Sequence, residues 1–252
     1  MTFSRQGFPW ERFLDNQVAN DHCNNKLLSG LSIQDFELLQ RDLTLTPLVL
    51  HESIFSAGEA AEYVWFPHEG VISLVAIDAE GEAVEVATVG SEGMTGVAVV
   101  LGSDTMTNRA MVQVSGRGSK IRTSAFRNAL QVSPTLKQYM LRYILAVVTQ
   151  ISQNAACNQL HTINTRCARW LLTTHDRVEG DSFGLTQEYL AMMLGVTRVS
   201  VSAAAGALQK AGLIRYSRGV VTITDRAGLE EAACDCYRVI EDEFVRLRTA
   251  SL

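Results

Sequence analysis

The stretch from Leu185 to Thr224, LTQEYLAMMLGVTRVSVSAAAGALQKAGLIRYSRGVVTIT, decides how the C-terminal part of this chain folds. Thr186 and Thr197 each stand where a helix can begin, because a threonine hydroxyl accepts a hydrogen bond from a backbone amide of the first helical turn. Gly195 lies between them and can adopt the positive φ of a tight turn after a helix. The stretch therefore predicts two short helices joined by a sharp turn.

Three residues of this stretch have the spacing A-x3-G-x5-V: Ala191, Gly195 and Val201. A small residue is needed where two helices cross, a glycine makes the turn, and a valine fills the space between the helices. The pattern predicts a helix-turn-helix with helices over 186–194 and 197–211. In this motif, the N-terminal residues of the second helix lie at base edges in the major groove of DNA.

The residues after the second helix distinguish a DNA reader from two helices of an ordinary bundle. Lys210 closes the helix, and Arg215 and Arg218 flank a glycine-containing turn that leads into a strand over 220–224. We predict that this hairpin is a wing, with its cations placed where DNA phosphates would lie. A purely structural helix pair is the plainer alternative, and these cations argue against it.

The expected DNA contacts come from the start of the first helix, the exposed side of the second helix, and the wing. Among the residues expected on the exposed, DNA-facing side of the second helix, Arg198 is the single long donor, and it can bond a guanine edge or a phosphate. The expected DNA-contacting residues are Thr186, Gln187, Thr197, Arg198, Val199, Ser200, Ser202, Ala203, Lys210, Arg215 and Arg218.

The part of the chain before residue 134 has a different pattern of residues. A helix is predicted over 24–42, and short β-branched and aromatic runs follow from Leu43 to about Thr123. Turns are predicted at His68-Glu69-Gly70 and at Glu80-Gly81. Several short strands at this spacing predict a β-roll or jelly-roll domain.

Residues 134–160 are predicted to form one long helix that carries little charge. Its apolar stripe cannot be solvated and must meet another surface. We expect the partner to be the same helix of a second subunit, whereas packing onto its own domain is the alternative. The residues predicted for this dimer contact are Tyr139, Tyr143, Ala146, Val147 and Ile151.

These segments predict an α+β chain in three parts. Residues 1–133 form a β-roll sensor domain with N-terminal helices, 134–160 a dimerisation helix, and 161–252 a winged helix-turn-helix domain that ends in a helix over 228–248. The net charge of −5 is unevenly spread, since residues 1–133 carry −7 and residues 161–226 carry +3. An acidic sensor domain and a mildly basic winged helix-turn-helix domain are compatible with DNA binding, because only the contacting face must neutralise phosphates.

Cysteine usage and hydropathy indicate a cytoplasmic protein. The five cysteines are scattered, which does not indicate a disulfide framework. We interpret them as structural or incidental and expect no metal, because Cys234 and Cys236 are too close for the usual zinc spacing and would point apart on a helix. Redox or metal sensing is the alternative. No stretch approaches the roughly 18 apolar residues of a membrane span, and the N-terminus lacks a signal-peptide pattern.

The order of a β-roll, a long apolar helix and the winged motif LTQEYLAMMLGVTRVSVSAAAGALQKAGLI resembles the Crp/Fnr family of bacterial transcription regulators. The resemblance covers roughly residues 25–226 and is most specific at the C-terminus. It implies a homodimer joined along 134–158 that binds a two-fold symmetric operator in double-stranded DNA. It also implies that the protein contacts RNA polymerase to activate, or occludes it to repress.

The effector region departs from the family pattern. Members that bind cyclic AMP carry Gly-Glu and, ten residues later, Arg-Ser or Arg-Thr. Here Arg109 is followed by Ala110, and Val99 stands where the acid is expected. We therefore do not expect a cyclic nucleotide and predict no cofactor. The residues assigned to an effector pocket are Val89, Glu92, Met94, Val99, Arg109 and Ala110.

Whether the chain can bind other cofactors of the family is judged from the ligand residues that its sequence offers. Only Cys23 is available for the N-terminal iron–sulfur centre of the oxygen-sensing members, which excludes that chemistry. Haem or another small effector stays open, with His51, His68 and Cys23 as conceivable ligands. In the second helix of the motif, Val199 and Ala203 replace the Glu and Arg of well-known members, which predicts a different operator and apolar contact with thymine methyls.

Two other classes of function compete with DNA binding. One is a ligand-binding β-roll protein that acts through protein contacts, which the cations of the motif and wing argue against. The other is an enzyme of the cupin type, which needs convergent ligands, commonly with His-x-His spacing. All five histidines are isolated in sequence, so we predict that the protein is not an enzyme.

Overall fold

The computed structural model describes residues 24–249. Its N-terminal domain is an antiparallel sheet with short helices at its edges. The elements of this domain are α1 Lys26–Ser29, α2 Ile33–Gln40, β1 Thr44–Leu48, β2 Ser53–Phe55, β3 Tyr63–Ile77, β4 Ala83–Val89, α3 Val97–Val100, β5 Arg109–Arg122 and α4 Thr123–Val132.

The sheet has the strand order β1-β5-β3-β4, and β2 also pairs with β5. Alternate residues of a strand point to opposite faces. On β5, Ala110 points into the core of the N-terminal domain, whereas Met111 packs against the core of the C-terminal domain. The central strands therefore support both domains.

Two local predictions for this domain were wrong. Residues 24–42 form two short helices instead of one, because the chain breaks at Gly30 and Ser32 caps α2 by accepting from the Asp35 amide. The predicted turn at His68-Glu69-Gly70 lies inside β3, where the pairing with β5 shifts register. Gly70 has φ +87°, and a Cβ there would lie 2.6 Å from the Val114 carbonyl oxygen, so glycine serves a bulge at this point. The turn at Glu80-Gly81 is confirmed, since it joins β3 to β4.

Helix α5, Pro134–Leu160, begins at the Ser133 cap, whose side chain accepts from the Leu136 amide. Tyr139, Tyr143, Ala146 and Val147 on this helix are buried in the core of the N-terminal domain, and Ile151 is half-buried against it. The Tyr143 hydroxyl donates to the Met94 carbonyl oxygen at 2.7 Å. The apolar stripe that was predicted to contact a second subunit is therefore buried within its own chain. This agrees with the alternative prediction, in which the helix packs onto its own domain.

The C-terminal domain is a winged helix-turn-helix followed by two helices. The predicted final helix over 228–248 is broken at residues 233–235. The elements are α6 Ile163–His175, β6 Ser182–Gly184, α7 Gln187–Leu194, α8 Arg198–Lys210, β7 Ile214–Ser217, β8 Val220–Ile223, α9 Arg226–Ala232 and α10 Cys236–Thr249. The strands form a small sheet of order β6-β8-β7. The predicted fold class, a sheet domain, a long helix and a winged helix-turn-helix, is confirmed.

The two domains share a buried contact on the outer face of the large sheet. Val75 belongs to the core of the C-terminal domain, and Ala83 packs against that core. Buried hydrogen bonds cross the contact from Trp170 Nε1 to Glu85 Oε1 (2.8 Å), from Gln113 Nε2 to Thr174 Oγ1 (3.1 Å) and from Arg177 Nε to Glu92 Oε1 (2.9 Å). The winged helix domain is thus fixed against the sheet by specific polar pairs.

Within residues 24–249 no single helix has the length and apolar composition of a membrane span; α7 and α8 reach that threshold only when the bent pair is taken together.

Candidate DNA-binding site

The turn between α7 and α8 has the geometry that the glycine predicts. Gly195 has φ 61°, its amide donates to the Met192 carbonyl oxygen at 3.1 Å, and the Val196 amide donates to the Ala191 carbonyl oxygen at 3.0 Å. This pair of bonds is a Schellman motif, which ends a helix through a left-handed residue. Across the turn the two helix axes bend by 106°, within the range of DNA-binding helix-turn-helix motifs.

Both predicted caps are present. The Thr186 side chain accepts from the Tyr189 amide at 3.1 Å, and the Thr197 side chain accepts from the Ser200 amide at 3.3 Å. The Thr197 and Ser200 hydroxyls lie 3.0 Å apart. Part of their bonding capacity is therefore used to hold the start of α8, which positions the helix for its other side chains.

The outward face of α8 combines one cation with small side chains. Arg198, Val199, Ser202 and Ala203 are exposed, and Val199 keeps 79% of its surface. Further along the helix, Gly206 and Ala207 continue the same exposed strip. Because these side chains are short, the backbone of α8 can come close to a docked surface.

The wing presents Arg218 at its tip. Ser217 pairs with Val220, so the loop consists of Arg218 and Gly219, with φ of 51° and 75°. Two positive φ values define a type I′ hairpin turn, in which an arginine is an uncommon first residue. The turn directs the arginine outward beside α8.

Tyr216 ties the wing to the helices. Its hydroxyl donates to the Leu185 carbonyl oxygen at 2.8 Å, and its amide donates to Gln209 Oε1 at 2.7 Å. Burial raises the pKa of Tyr216 to about 12, so the hydroxyl stays protonated and can donate this bond. The wing is therefore held at a fixed distance from α8.

A groove of about 430 Å³ runs between α8 and the wing. It brings together five of the predicted residues: Thr186, Gln187, Arg198, Ser202 and Arg218. The remaining lining residues, which were not predicted from the sequence, are Ala205, Gly206, Gln209, Tyr216, Ser217 and Gly219. Thr197, Val199, Ser200, Ala203, Lys210 and Arg215 lie outside the groove.

The charges on this surface are not neutralised by the protein. In the part of the chain that the structure describes, no carboxylate pairs with Arg198, Arg215, Arg218 or Lys210. By contrast, Arg117 on β5 pairs with Glu69. Free guanidinium groups beside a smooth helix form a surface suited to an anionic polymer.

Two family models match the sequence. The Crp-like helix-turn-helix domain matches residues 165–232, and the cyclic nucleotide-binding domain matches residues 47–133. The two matches together span more than half of the chain and follow the order of the two structural domains.

The chain belongs to the Crp/Fnr family. As a member of this family it is a DNA-binding transcription regulator. A comparison with curated proteins found no match.

Solved structures share the fold at low sequence identity. FixK2 from Bradyrhizobium japonicum is 17% identical with a TM-score of 0.63, over 76% of this chain and 98% of that one. A transcriptional regulator of the crp/fnr family from Eubacterium rectale is 16% identical with a TM-score of 0.62, over 82% and 96%. A putative cAMP-binding regulatory protein from Silicibacter pomeroyi is 20% identical with a TM-score of 0.61, over 85% and 98%.

The residues predicted for the effector pocket of this Crp/Fnr protein lie on both sides of the large sheet. Val89, Met94, Val99 and Ala110 are buried members of the N-terminal hydrophobic core. Arg109 starts β5 one residue before Ala110 and therefore points to the opposite face, toward the winged helix domain. Arg109 is therefore separated from the other predicted residues, because the prediction followed family spacing rather than strand alternation.

Glu92, the acid of that predicted pocket, already has hydrogen-bond and ion-pair partners within the protein. Glu92 Oε1 accepts from the Gly90 amide at 3.0 Å and from Arg177 of the C-terminal domain. A cyclic nucleotide needs a free acid for the ribose hydroxyls and a cation for the phosphate in one cavity. These residues do not fit that ligand, because Glu92 is already paired and Arg109 faces away from the core.

The conceivable haem ligands each have protein neighbours. His68 Nε2 lies 2.9 Å from Ser119 Oγ, and burial lowers the pKa of His68. The His51 ring packs against Tyr189 with a centroid distance of 5.6 Å. Cys23 lies outside the described residues.

Proposed function

We propose that the protein is a homodimer that reads a two-fold symmetric DNA site with α8 and the wing. The observation that carries this proposal is the unneutralised surface of Arg198 and Arg218 beside the strip of small residues on α8. Arg198, at the start of α8, is placed to bond a guanine edge. Arg218 at the wing tip is placed to contact a phosphate. Regulation then follows from contact with RNA polymerase, or from its occlusion.

The second subunit is proposed to pack on the outer face of α5. Leu141, Leu145 and Val148 are exposed there, and Leu145 keeps 57% of its surface. Ser152 and Ala155 continue the exposed row, so the steps along the helix are four, three, four and three. This is the heptad spacing of a helix pair, with large apolar side chains at one end and small ones at the other. A two-fold axis along this face makes the row complementary to itself.

We further propose that the contact between the domains controls access to the reading helix. The β3–β4 hairpin lies beside the start of α8, and Glu82 and Ala83 line a groove together with Thr197 and Arg198. Val84 packs against the helix-turn-helix turn, since a Cβ on Gly195 would lie 3.1 Å from it. DNA approaching the start of α8 would meet this hairpin, so a shift of the winged helix domain away from the sheet would expose the reading surface.

The DNA proposal is tested by selecting bound sequences from random duplexes with the purified protein, followed by a salt titration on the enriched sequence. We expect a two-fold symmetric site, a steep salt dependence, and a strong loss of affinity in Arg198→Ala. Arg122→Ala removes an exposed cation from the N-terminal sheet and serves as the control. Equal binding of random and enriched DNA, or equal losses in both variants, would contradict the proposal.

The dimer proposal is tested separately by sedimentation. Leu145→Glu places a charge in the middle of the exposed row and is expected to give a monomer. Ile33→Glu changes an exposed apolar residue on α2 and should leave the dimer intact. A dimer that survives Leu145→Glu would show that another surface joins the subunits.

A further inference from the structure

Three cysteines from two distant parts of the chain meet in one buried cluster. Cys157 lies near the end of α5, Cys234 lies in the turn between α9 and α10, and Cys236 begins α10. Their sulfur atoms all lie within 4.8 Å of one another, and the Sγ atoms of Cys157 and Cys234 are 3.5 Å apart. The prediction that Cys234 and Cys236 point apart was wrong because Cys234 lies in the turn before α10 and not on the same helix as Cys236.

A buried cation faces the cluster. Arg169 Nε donates to Cys157 Sγ at 3.3 Å, and its Nη1 donates to Asn154 Oδ1 at 2.8 Å. Arg169 is buried, and within residues 24–249 no carboxylate pairs with it. The guanidinium of Arg169 therefore contacts the sulfur of Cys157 directly and can offset negative charge that collects on the cluster.

Cys167 is a cysteine of the C-terminal domain that serves only in packing, and it can be compared with the cluster. It lies on α6 and is buried among apolar side chains. Burial alone raises the pKa of Cys167 to about 12. The three clustered cysteines differ from it in having one another and a cation as neighbours.

We propose that Cys157, Cys234 and Cys236 bind a soft divalent metal ion through three thiolates. Thiolates select soft and borderline metals. A zinc–sulfur distance of about 2.3 Å in tetrahedral geometry places the sulfur atoms roughly 3.8 Å apart, which this cluster reaches with small side-chain shifts. Among the residues that are described, no fourth His, Cys, Asp or Glu has a ligand atom within 4.8 Å of all three sulfur atoms, so the three thiolates are the protein ligands of this site.

The charge balance favours a divalent ion over a monovalent one. Three thiolates and a divalent ion carry one net negative charge, which the guanidinium of Arg169 offsets. A monovalent ion would leave a second negative charge without a partner in a buried site. Binding releases to solvent the protons of those cysteines that are still protonated, while the metal keeps its oxidation state.

The test uses the full-length, reduced and metal-free protein, titrated with Cd²⁺ while the ultraviolet sulfur-to-metal charge-transfer band is recorded. We expect the band to saturate at one ion per chain, and Zn²⁺ to displace the Cd²⁺. Cys157→Ser should abolish the saturable band, whereas the matched variant Cys167→Ser should keep it. Arg169→Gln should weaken binding by about 10- to 100-fold, as for other groups that orient metal ligands.

Proton release on the unmodified protein gives a second readout that does not depend on how the variants fold. In weak buffer, each bound ion should release protons from thiols. No saturable band, no proton release, or an equal loss of the band in Cys157→Ser and Cys167→Ser would overturn the proposal.

Discussion

The DNA-reading surface and the contact between the domains use the same charged residue types in opposite states. Arg198 and Arg218 are exposed and meet no carboxylate in the described chain, whereas Arg177 is buried and bonded to Glu92. Glu85, also buried, accepts the indole N–H of Trp170. An unpaired surface cation is available to a phosphate, but a buried charge is tolerated only with its partner. The surroundings of a charge, rather than its residue type, therefore determine its role.

The largest effect is expected from breaking the buried pair. Arg177→Met leaves Glu92 buried without its cation and should lower the free energy of unfolding by about 3–5 kcal/mol. Urea unfolding measures this loss. Arg177→Met combined with Glu92→Leu removes both charges and should recover most of the stability. A double variant as unstable as the single one would show that the pair is not what holds this contact.

The second effect concerns a carboxyl group at the same contact. Ser73 Oγ lies 2.7 Å from both Glu85 Oε2 and Gln113 Oε1, and one hydroxyl proton cannot serve both. A protonated Glu85 that donates to Ser73 satisfies all three groups. Burial raises the pKa of Glu85 from 4.5 to about 7, although Ser73 and Trp170 oppose the shift.

This pKa makes the domain contact sensitive to pH. Between pH 4.5 and about 7 the folded chain keeps a proton that the unfolded chain has released. The free energy of unfolding therefore falls as the pH rises through this window, by up to about 3 kcal/mol, and the loss is complete above about pH 7. Glu85→Gln should remove this part of the pH dependence, as measured by urea unfolding at several pH values. Glu80→Gln in the exposed β3–β4 turn is the control, and a pH profile unchanged by Glu85→Gln would refute the assignment.

The smallest effect is expected at the exposed wing. Arg218→Asn places in the type I′ turn a residue that tolerates positive φ, and should raise the free energy of unfolding by roughly 0.5–1 kcal/mol. It also removes a cation, so the slope of log affinity against log salt should fall by about 1. Arg215→Asn removes a cation without the change in backbone strain. It should reproduce only the second effect, and equal stabilisation in both variants would exclude the strain argument.

Sequence patterns predicted the local features of the C-terminal domain well. Thr186, Gly195 and Thr197 act within a few residues of their own positions, and the caps and the turn follow from backbone chemistry. The side of α5 that faces inward could not be predicted in this way. That helix carries one apolar row through Tyr143 and another through Leu145, and periodicity gives no information on which row meets the sheet.

Pairing between residues far apart in the chain could not be predicted from sequence patterns either. Glu92 and Arg177 are far apart in the chain, and so are Cys157 and Cys234. Neither pair carries a local pattern that could have revealed it. Arg109 was misplaced because a motif spacing does not say which face of a strand a residue occupies.

The row of short side chains along α8 has a consequence for how such a regulator finds its sites. A half-site read by one guanidinium and a smooth surface carries little sequence information, since each good bidentate contact gives about 1–3 kcal/mol of discrimination. A genome offers roughly 10⁶–10⁹ competing positions, and many of them would satisfy a single half-site. In the proposed dimer, the distance and symmetry between two half-sites would then supply much of the selectivity that longer side chains on α8 would otherwise provide.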